Sequence, residues 1–152
     1  MQLPELHLRL EVEALIGAPI DLGVTRGGHR RVIPILGGSF HGDGVRGTLV
    51  AGGADWQVIY PDGGADLEAR YTLATEDGAL IQVTNRGMRR GDAVELGKLN
   101  TGQAADMSKI YFRTVASFET SAQQYQWLAD ALFIGVGERF PEKVRVQFYR
   151  VG

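Results

Sequence analysis

The strongest constraint on the fold is a period of two. In "LHLRLEVE" Leu6, Leu8, Leu10 and Val12 alternate with His7, Arg9, Glu11 and Glu13. That spacing puts one set on each face of an extended strand. The pattern recurs in "ADLEARYTLAT": Leu67, Ala69, Tyr71 and Leu73 share one face, and Asp66, Glu68, Arg70 and Thr72 the other. Glycine separates such runs; the chain has 21, mostly in pairs or turn dipeptides. Many short strands joined by tight turns leave two exposed edges unless the sheet closes on itself, and closure also encloses a cavity. An all-β, closed antiparallel β-barrel is therefore expected, as a single domain over residues 1–152.

Further strands are predicted around residues 19–24 and 30–36, with Gly27–Gly28 turning between them. "GTLVA" and "DWQVIY" follow, separated by a glycine turn. "PDGG" and "EDG" are hairpin turns, with Asp-Gly in turn positions. "KIYFRTVASFET" resumes a strand, and "FIGVGERF" and "VRVQFYRV" close the sheet around "PEK". One short helix near the C-terminal third is predicted over 121–132. Thr120 or Ser121 can cap it, and Tyr125, Leu128, Ala129 and Leu132 share a face. Segment 87–108 is polar and weakly periodic, and reads as a lid or mobile loop.

Several function classes are unsupported. The chain has no cysteine, and a net charge of −2 offers no basic field for nucleic acid. No N-terminal leader pattern and no long apolar run is present, so no membrane association and a cytoplasmic location are expected. His7, His29 and His41 show no metal-ligand spacing, so no metal is expected. No phosphate loop, dinucleotide fingerprint or nucleophile elbow occurs, and no cofactor is expected. "GDGVRG" has Gly-x-Gly-x-x-Gly spacing but leads into a strand. "GGHRRV" reads as an exposed turn.

The candidate chemistry rests on a few residues, each with two readings. Asp55 is either a general base in a barrel mouth or a cap on the Gly52–Gly53 turn. Gln57 shares its face, while Trp56, expected to be buried, lies on the other. Arg70 either clamps an oxyanion or forms a structural ion pair. Glu119 is a mouth carboxylate or an acid beside a helix N-terminus. These three, Asp55, Arg70 and Glu119, are the catalytic candidates. Trp56, Gln57, Asn85, Tyr111, Arg113, Tyr125 and Trp127 are the ligand-binding candidates. Asp55 and Arg70 are expected to approach each other across the 55–60/66–74 hairpin, with Tyr111, Arg113 or Glu119 nearby.

Three blocks, "GGSFHGDGVRGTLVAGGADWQVIYPDG", "ARYTLATEDGALIQVTNRG" and "YFRTVASFETSAQQYQWLADALFIGVG", resemble domain-of-unknown-function family 3237, also known as uncharacterised protein family 0311. The resemblance runs from about residue 6 to 151 in order and spacing. Gly52, Gly53, Asp62–Gly63, Arg70–Tyr71, Asp77–Gly78 and Phe118–Thr120 stand where the family pattern has them. It implies a calycin-like or small outer-membrane-like barrel of about eight strands, and no specific activity.

Two functions follow. One is a cofactor-free enzyme, an isomerase, dehydratase (a lyase) or cyclase, that moves a proton on a carbonyl-bearing small molecule in the barrel mouth. The other is a non-catalytic barrel binding a small apolar or aromatic ligand. Apolar residues on both parities of "LIQV", "FIGV" and "VRVQFY" suggest a homodimer.

Overall fold

The computed structural model describes residues 1–152. It contains nine strands: β1 (Leu6–Ile16), β2 (Ile20–Thr25), β3 (Gly28–Gly42), β4 (Val45–Ile59), β5 (Ala65–Thr75), β6 (Leu80–Gly91), β7 (Ile110–Glu119), β8 (Phe133–Arg139) and β9 (Lys143–Val151). Each pairs antiparallel with the next along the order, and β1 joins both β9 and β3. Eight strands thus form a closed barrel. β2 is additional and pairs with β3 alone. The length of β3 makes this arrangement possible: its first part, Gly28–Val32, pairs with β2, and Ile35–Gly42 pairs with β1.

Two strands are longer than the sequence pattern suggests. "GTLVA" and "DWQVIY" are one bent strand, β4, and "GGSFHG" continues β3. The glycines between them make register shifts rather than turns, between Ile35 and Ser39 and between Val50 and Ala54. Gly52 has φ +109°, a conformation that side chains rarely adopt. At Gly38 a Cβ would sit 2.1 Å from the Glu13 carbonyl oxygen. Glycine there lets β1 come close enough to seal the barrel.

The interior is built in layers. Leu73, Ile81, Val83, Phe118, Phe133 and Phe148 belong to an apolar cluster filling one end, and Phe118 meets Phe133 and Phe148 edge to face. A smaller cluster of Ala65, Leu67, Leu96, Leu99, Ile110 and Phe112 fills the other. The second end is covered by α1 (Ala93–Asn100), which lies inside the segment expected to be a loop. Asp92 caps it by accepting from the Val94 and Glu95 N–H groups. Leu96 and Leu99 supply its buried face. Three residues of spacing is a weak signal in eight residues, which is why the sequence pattern missed it.

The first end is plugged by a 3-10 helix at Gln123–Leu128, not by an α-helix over 121–132. Thr120 does not cap it; its hydroxyl donates to the Leu80 carbonyl at 2.7 Å. Tyr125 and Leu128, three apart, turn inward together, as three residues per turn allows. Leu132, expected on the same face, is exposed. No helix in the chain is long and apolar enough to cross a membrane.

Candidate functional site

Between the two apolar clusters the barrel wall sends polar side chains inward. Strand parity explains each of them. Arg31 shares a face of β3 with Ile33 and Ile35; Asn85 and Arg89 share a face of β6 with Ile81 and Val83; Arg139 shares a face of β8 with Phe133. Cross-strand register lines up Ile33, Asp55, Ala69 and Asn85 on neighbouring strands, with Arg31 opposite Gln57 one step away. Arg31, Gln57, Asn85, Arg89, Thr114 and Arg139 are all buried.

Asp55, Tyr71, Asn85, Arg89 and Arg139 border an enclosed cavity of about 50 Å³, otherwise lined largely by aliphatic side chains. Asp55 sits deep in the barrel yet retains accessible area, as a group bordering a cavity does. Its carboxylate accepts from Gln57 Nε2 at 2.9 Å and from the Glu68 N–H at 3.0 Å. Gln57 Oε1 in turn accepts a long bond from Arg31 Nη2 at 3.4 Å. Burial pushes the Asp55 carboxyl above its usual range; the Gln57 bond and the positive charge of Arg89 only partly oppose this. Burial also raises the Tyr71 phenol, so it stays protonated.

The three lumenal arginines are poorly compensated. None forms an ion pair with a carboxylate. Arg31 Nη1 donates to the Asn100 carbonyl at 2.7 Å and so ties the C-terminal end of α1 to the wall. Arg139 donates its Nε to the Phe140 carbonyl at 2.9 Å. Arg89 lies over the Phe112 ring at 5.7 Å, with its Nε buried and without a hydrogen-bond partner. Burial lowers the Arg89 guanidinium to about 10 and also lowers Arg31 and Arg139. All three remain charged near neutral pH. Asn85 Oδ1 and Thr114 Oγ1 are also buried without partners. The belt can therefore hold an oxyanion and place a carboxyl group with a raised pKa beside it.

Of the residues predicted from sequence, Asp55, Gln57 and Asn85 meet in this belt. The expected approach of Asp55 and Arg70 does not occur. Ala54, not Asp55, is the cross-strand partner of Arg70, and Arg70 points outward to pair with Glu68 at 2.8 Å. Nor does Asp55 cap the Gly52–Gly53 turn; its backbone donor is Glu68 on β5. Glu119 is exposed at the end of β7. Trp56, expected to be buried, is 46% exposed on the outer wall. Tyr111 and Arg113 also lie outside, stacked at 5.3 Å, and border an outer groove with Met88, Val115 and Ile134. Tyr125 donates its hydroxyl to Asp77 at 2.8 Å, and Trp127 packs near Phe133, both at the end plugged by the 3-10 helix. The opposite side of each wall strand is the physical reason: one residue of offset exchanges lumen for exterior.

Sequence reasoning missed Arg31, Arg89 and Arg139. Arg31 was hidden in "GGHRRV" and Arg89 in "GMRRG". A signal existed. Counting by twos from Ile33, Val83 and Phe133 reaches each arginine on the apolar face.

Comparisons with known proteins agree with this architecture. The family model described as "Protein of unknown function (DUF3237)" matches residues 4–151. A UPF0311 protein of Rhodopseudomonas palustris is 42% identical over 140 residues, 92% of either chain. The crystal structure of a conserved protein of unknown function from Rhodopseudomonas palustris superposes with TM-score 0.93 at 38% identity, covering 100% of this chain and 99% of that one. A β-barrel-like protein from Acinetobacter baumannii gives 0.86 at 34% identity, covering 100% and 98%. An enzyme from Penicillium herquei gives 0.73 at 19% identity, covering 100% and 97%, a likeness of fold alone. With the family model spanning nearly every residue and close relatives matched end to end, the chain belongs to the DUF3237 (UPF0311) family.

Proposed function

We propose that this protein is a cofactor-free enzyme that moves a proton on a carbonyl-bearing small molecule, as an isomerase, dehydratase or cyclase. The supporting observation is the cavity itself. A buried carboxyl with a raised pKa, Asp55, shares it with the guanidinium of Arg89 and with Asn85. In this reading Asp55 takes or gives the proton, because a carboxyl moved toward neutrality is a competent general acid or base. Arg89 and Arg139 hold the oxyanion that develops on the carbonyl oxygen, in a site where water does not screen them. Gln57 positions the Asp55 carboxylate through its 2.9 Å bond. Arg70 and Glu119, on the outer wall, take no part. The Penicillium herquei neighbour is described as an enzyme; it lends the reading a fold-level analogy and no substrate.

A purely apolar carrier fits less well, because a carrier lumen has no use for buried arginines that lack an ion-pair partner. The test is proton exchange. The protein is incubated in deuterated water with a panel of ketones, β-hydroxy ketones and 1,3-dicarbonyl compounds, and carbon-bound deuterium is followed by NMR. Enzyme-dependent exchange is expected for at least one class, with Asp55→Asn slowing it by about 100-fold or more. Equal rates for wild type and Asp55→Asn across the panel would sink the reading.

A homodimer is proposed on separate grounds. Met88, Tyr111 and Val115 are large, exposed and adjacent on the outer wall, in the groove they share with Ile134, and a symmetric partner would cover them. Sedimentation velocity on wild type and Val115→Glu tests this: a dimer that the variant dissociates is expected, and a monomeric wild type at micromolar concentration counts against it.

A further inference from the structure

The enclosed cavity is not isolated. Arg139 and Ile16 border it and also border a second, open groove of about 670 Å³ at the end covered by α1. That groove runs between the turn after β1, the turn between β8 and β9, and the end of α1 at Asn100 with Thr101 and Gly102 that follow it. Leu15 and Leu36 line it and are large, apolar and exposed, at 47% and 58%. A groove with two exposed leucines, and with Glu142 at its edge, thus adjoins, at Ile16 and Arg139, a cavity bordered by two arginines and one carboxyl.

We infer that the lumen binds a small, largely apolar carboxylate, with its head between Arg89 and Arg139 and its body in the groove at Leu15 and Leu36. The inference rests on the lumen being the functional site, and it adds the class of molecule that enters: the carbonyl oxygen that Arg89 and Arg139 hold is the carboxylate's own. Two guanidinium groups border the cavity, Arg89 and Arg139, against one carboxyl, Asp55, and Arg31 is buried in the same lumen. Arginine cannot discharge the cost of burial by losing its proton, so a counter-anion must satisfy it. Arg31 is already used by the Asn100 carbonyl and Gln57. Arg139 makes no side-chain hydrogen bond through its Nη nitrogens, and the Arg89 guanidinium makes none at all, its Nε being buried without a partner. Their forks are the matching shape for a planar two-oxygen anion. Of the other buried atoms without partners, the Thr114 hydroxyl can donate, whereas Asn85 Oδ1 can only accept. The cavity of about 50 Å³ accommodates a head group and no more, so the rest of the molecule must project toward the groove. The Arg31–Asn100 bond holds the end of α1 beside that groove.

The test uses hexanoate and its neutral counterpart hexanamide, with the full-length protein at low ionic strength and neutral pH. Binding is followed by calorimetry and by the side-chain amide resonances of Asn85. Hexanoate is expected to bind about tenfold or more tightly than hexanamide, since a charge-assisted bidentate pair is lost in the amide. Arg89→Gln and Arg139→Gln should each weaken hexanoate by about tenfold or more, and Arg70→Gln on the outer wall should not. Arg89→Lys, which keeps the charge but not the fork, should recover part of the binding and guards against loss of fold in the glutamine variant. Leu36→Glu should weaken hexanoate more than hexanamide. Asp55→Asn should tighten hexanoate by removing a neighbouring negative charge, while slowing any proton exchange as above; the two readings can therefore fail separately. Hexanamide binding as well as hexanoate, Arg70→Gln matching Arg89→Gln, or no hexanoate binding at millimolar concentration would each overturn the inference.

Discussion

Asp55 and Arg70 occupy adjacent rungs of the β4–β5 ladder yet point to opposite sides of the barrel wall. Ala69 faces Asp55, and Ala54 faces Arg70. The carboxyl enters the lumen, and the guanidinium joins Glu68 in solvent, where Arg86 also reaches the same carboxylate at 3.0 Å. An exposed pair of this kind contributes little to stability. Arg70→Gln is expected to change unfolding free energy by no more than about 0.5–1 kcal/mol in urea denaturation. A much larger loss would mean that the outer ion cluster holds the ladder together.

Asp55 imposes a pH dependence opposite to that of the surface acids. Burial raises its pKa, so the folded protein keeps this proton to higher pH than the unfolded chain does. Stability from this group is full below the unfolded carboxyl value and is lost as pH climbs through the folded value. Asp66, Glu68 and Asp77 run the other way, because hydrogen bonds to their carboxylates lower them. The Asp55 effect therefore shows as a difference. Asp55→Asn should gain on wild type as pH rises from about 3 to about 7, by about 1.4 kcal/mol per unit of pKa elevation. A difference that stays flat over that window would show that the carboxyl is not desolvated.

Trp56 and Trp127 should be separable by quenching. Trp56 is 46% exposed on the outer wall, and Trp127 is half-buried near Phe133. Iodide should quench Trp56 preferentially, so Trp56→Phe removes most of the quenchable emission and Trp127→Phe retains it. Trp56→Ala should cost about 1–2 kcal/mol, the range for partial burial of apolar area. A cost of about 3–5 kcal/mol, the range for a buried aromatic, would place Trp56 in an interface in solution.

The seating of α1 gives the last prediction. Leu96 is 1% exposed beneath it. Leu96→Ala should cost about 2–4 kcal/mol, and Asp92→Ala about 1 kcal/mol through loss of the cap. Amide hydrogen exchange should then accelerate first in α1, before the barrel strands. Unchanged stability in Leu96→Ala would mean that α1 does not close that end of the barrel.

The period-two runs and glycine turns were enough to reach a closed antiparallel barrel, because alternation and turn chemistry are local properties that each segment carries by itself. The "PDGG" and "EDG" hairpins and the closing β8–β9 pair were legible for the same reason. So was the sharing of one strand face by Asp55 and Gln57.

Which face is inside was not local. Around residue 55 the apolar parity holds Trp56 and Val58, and a hydrophobic reading turns that side inward. The barrel does the reverse. Register with β3 and β5, set beyond the two glycine register shifts, aligns Asp55 with Ile33 and Ala69 on the lumenal side. The same closure gathers Arg31, Arg89 and Arg139 from strands distant in sequence. A strand specifies two faces; only the ring of pairings decides which one loses water. Desolvation, which raises Asp55 and leaves Arg89 without a partner, exists only once that ring is closed.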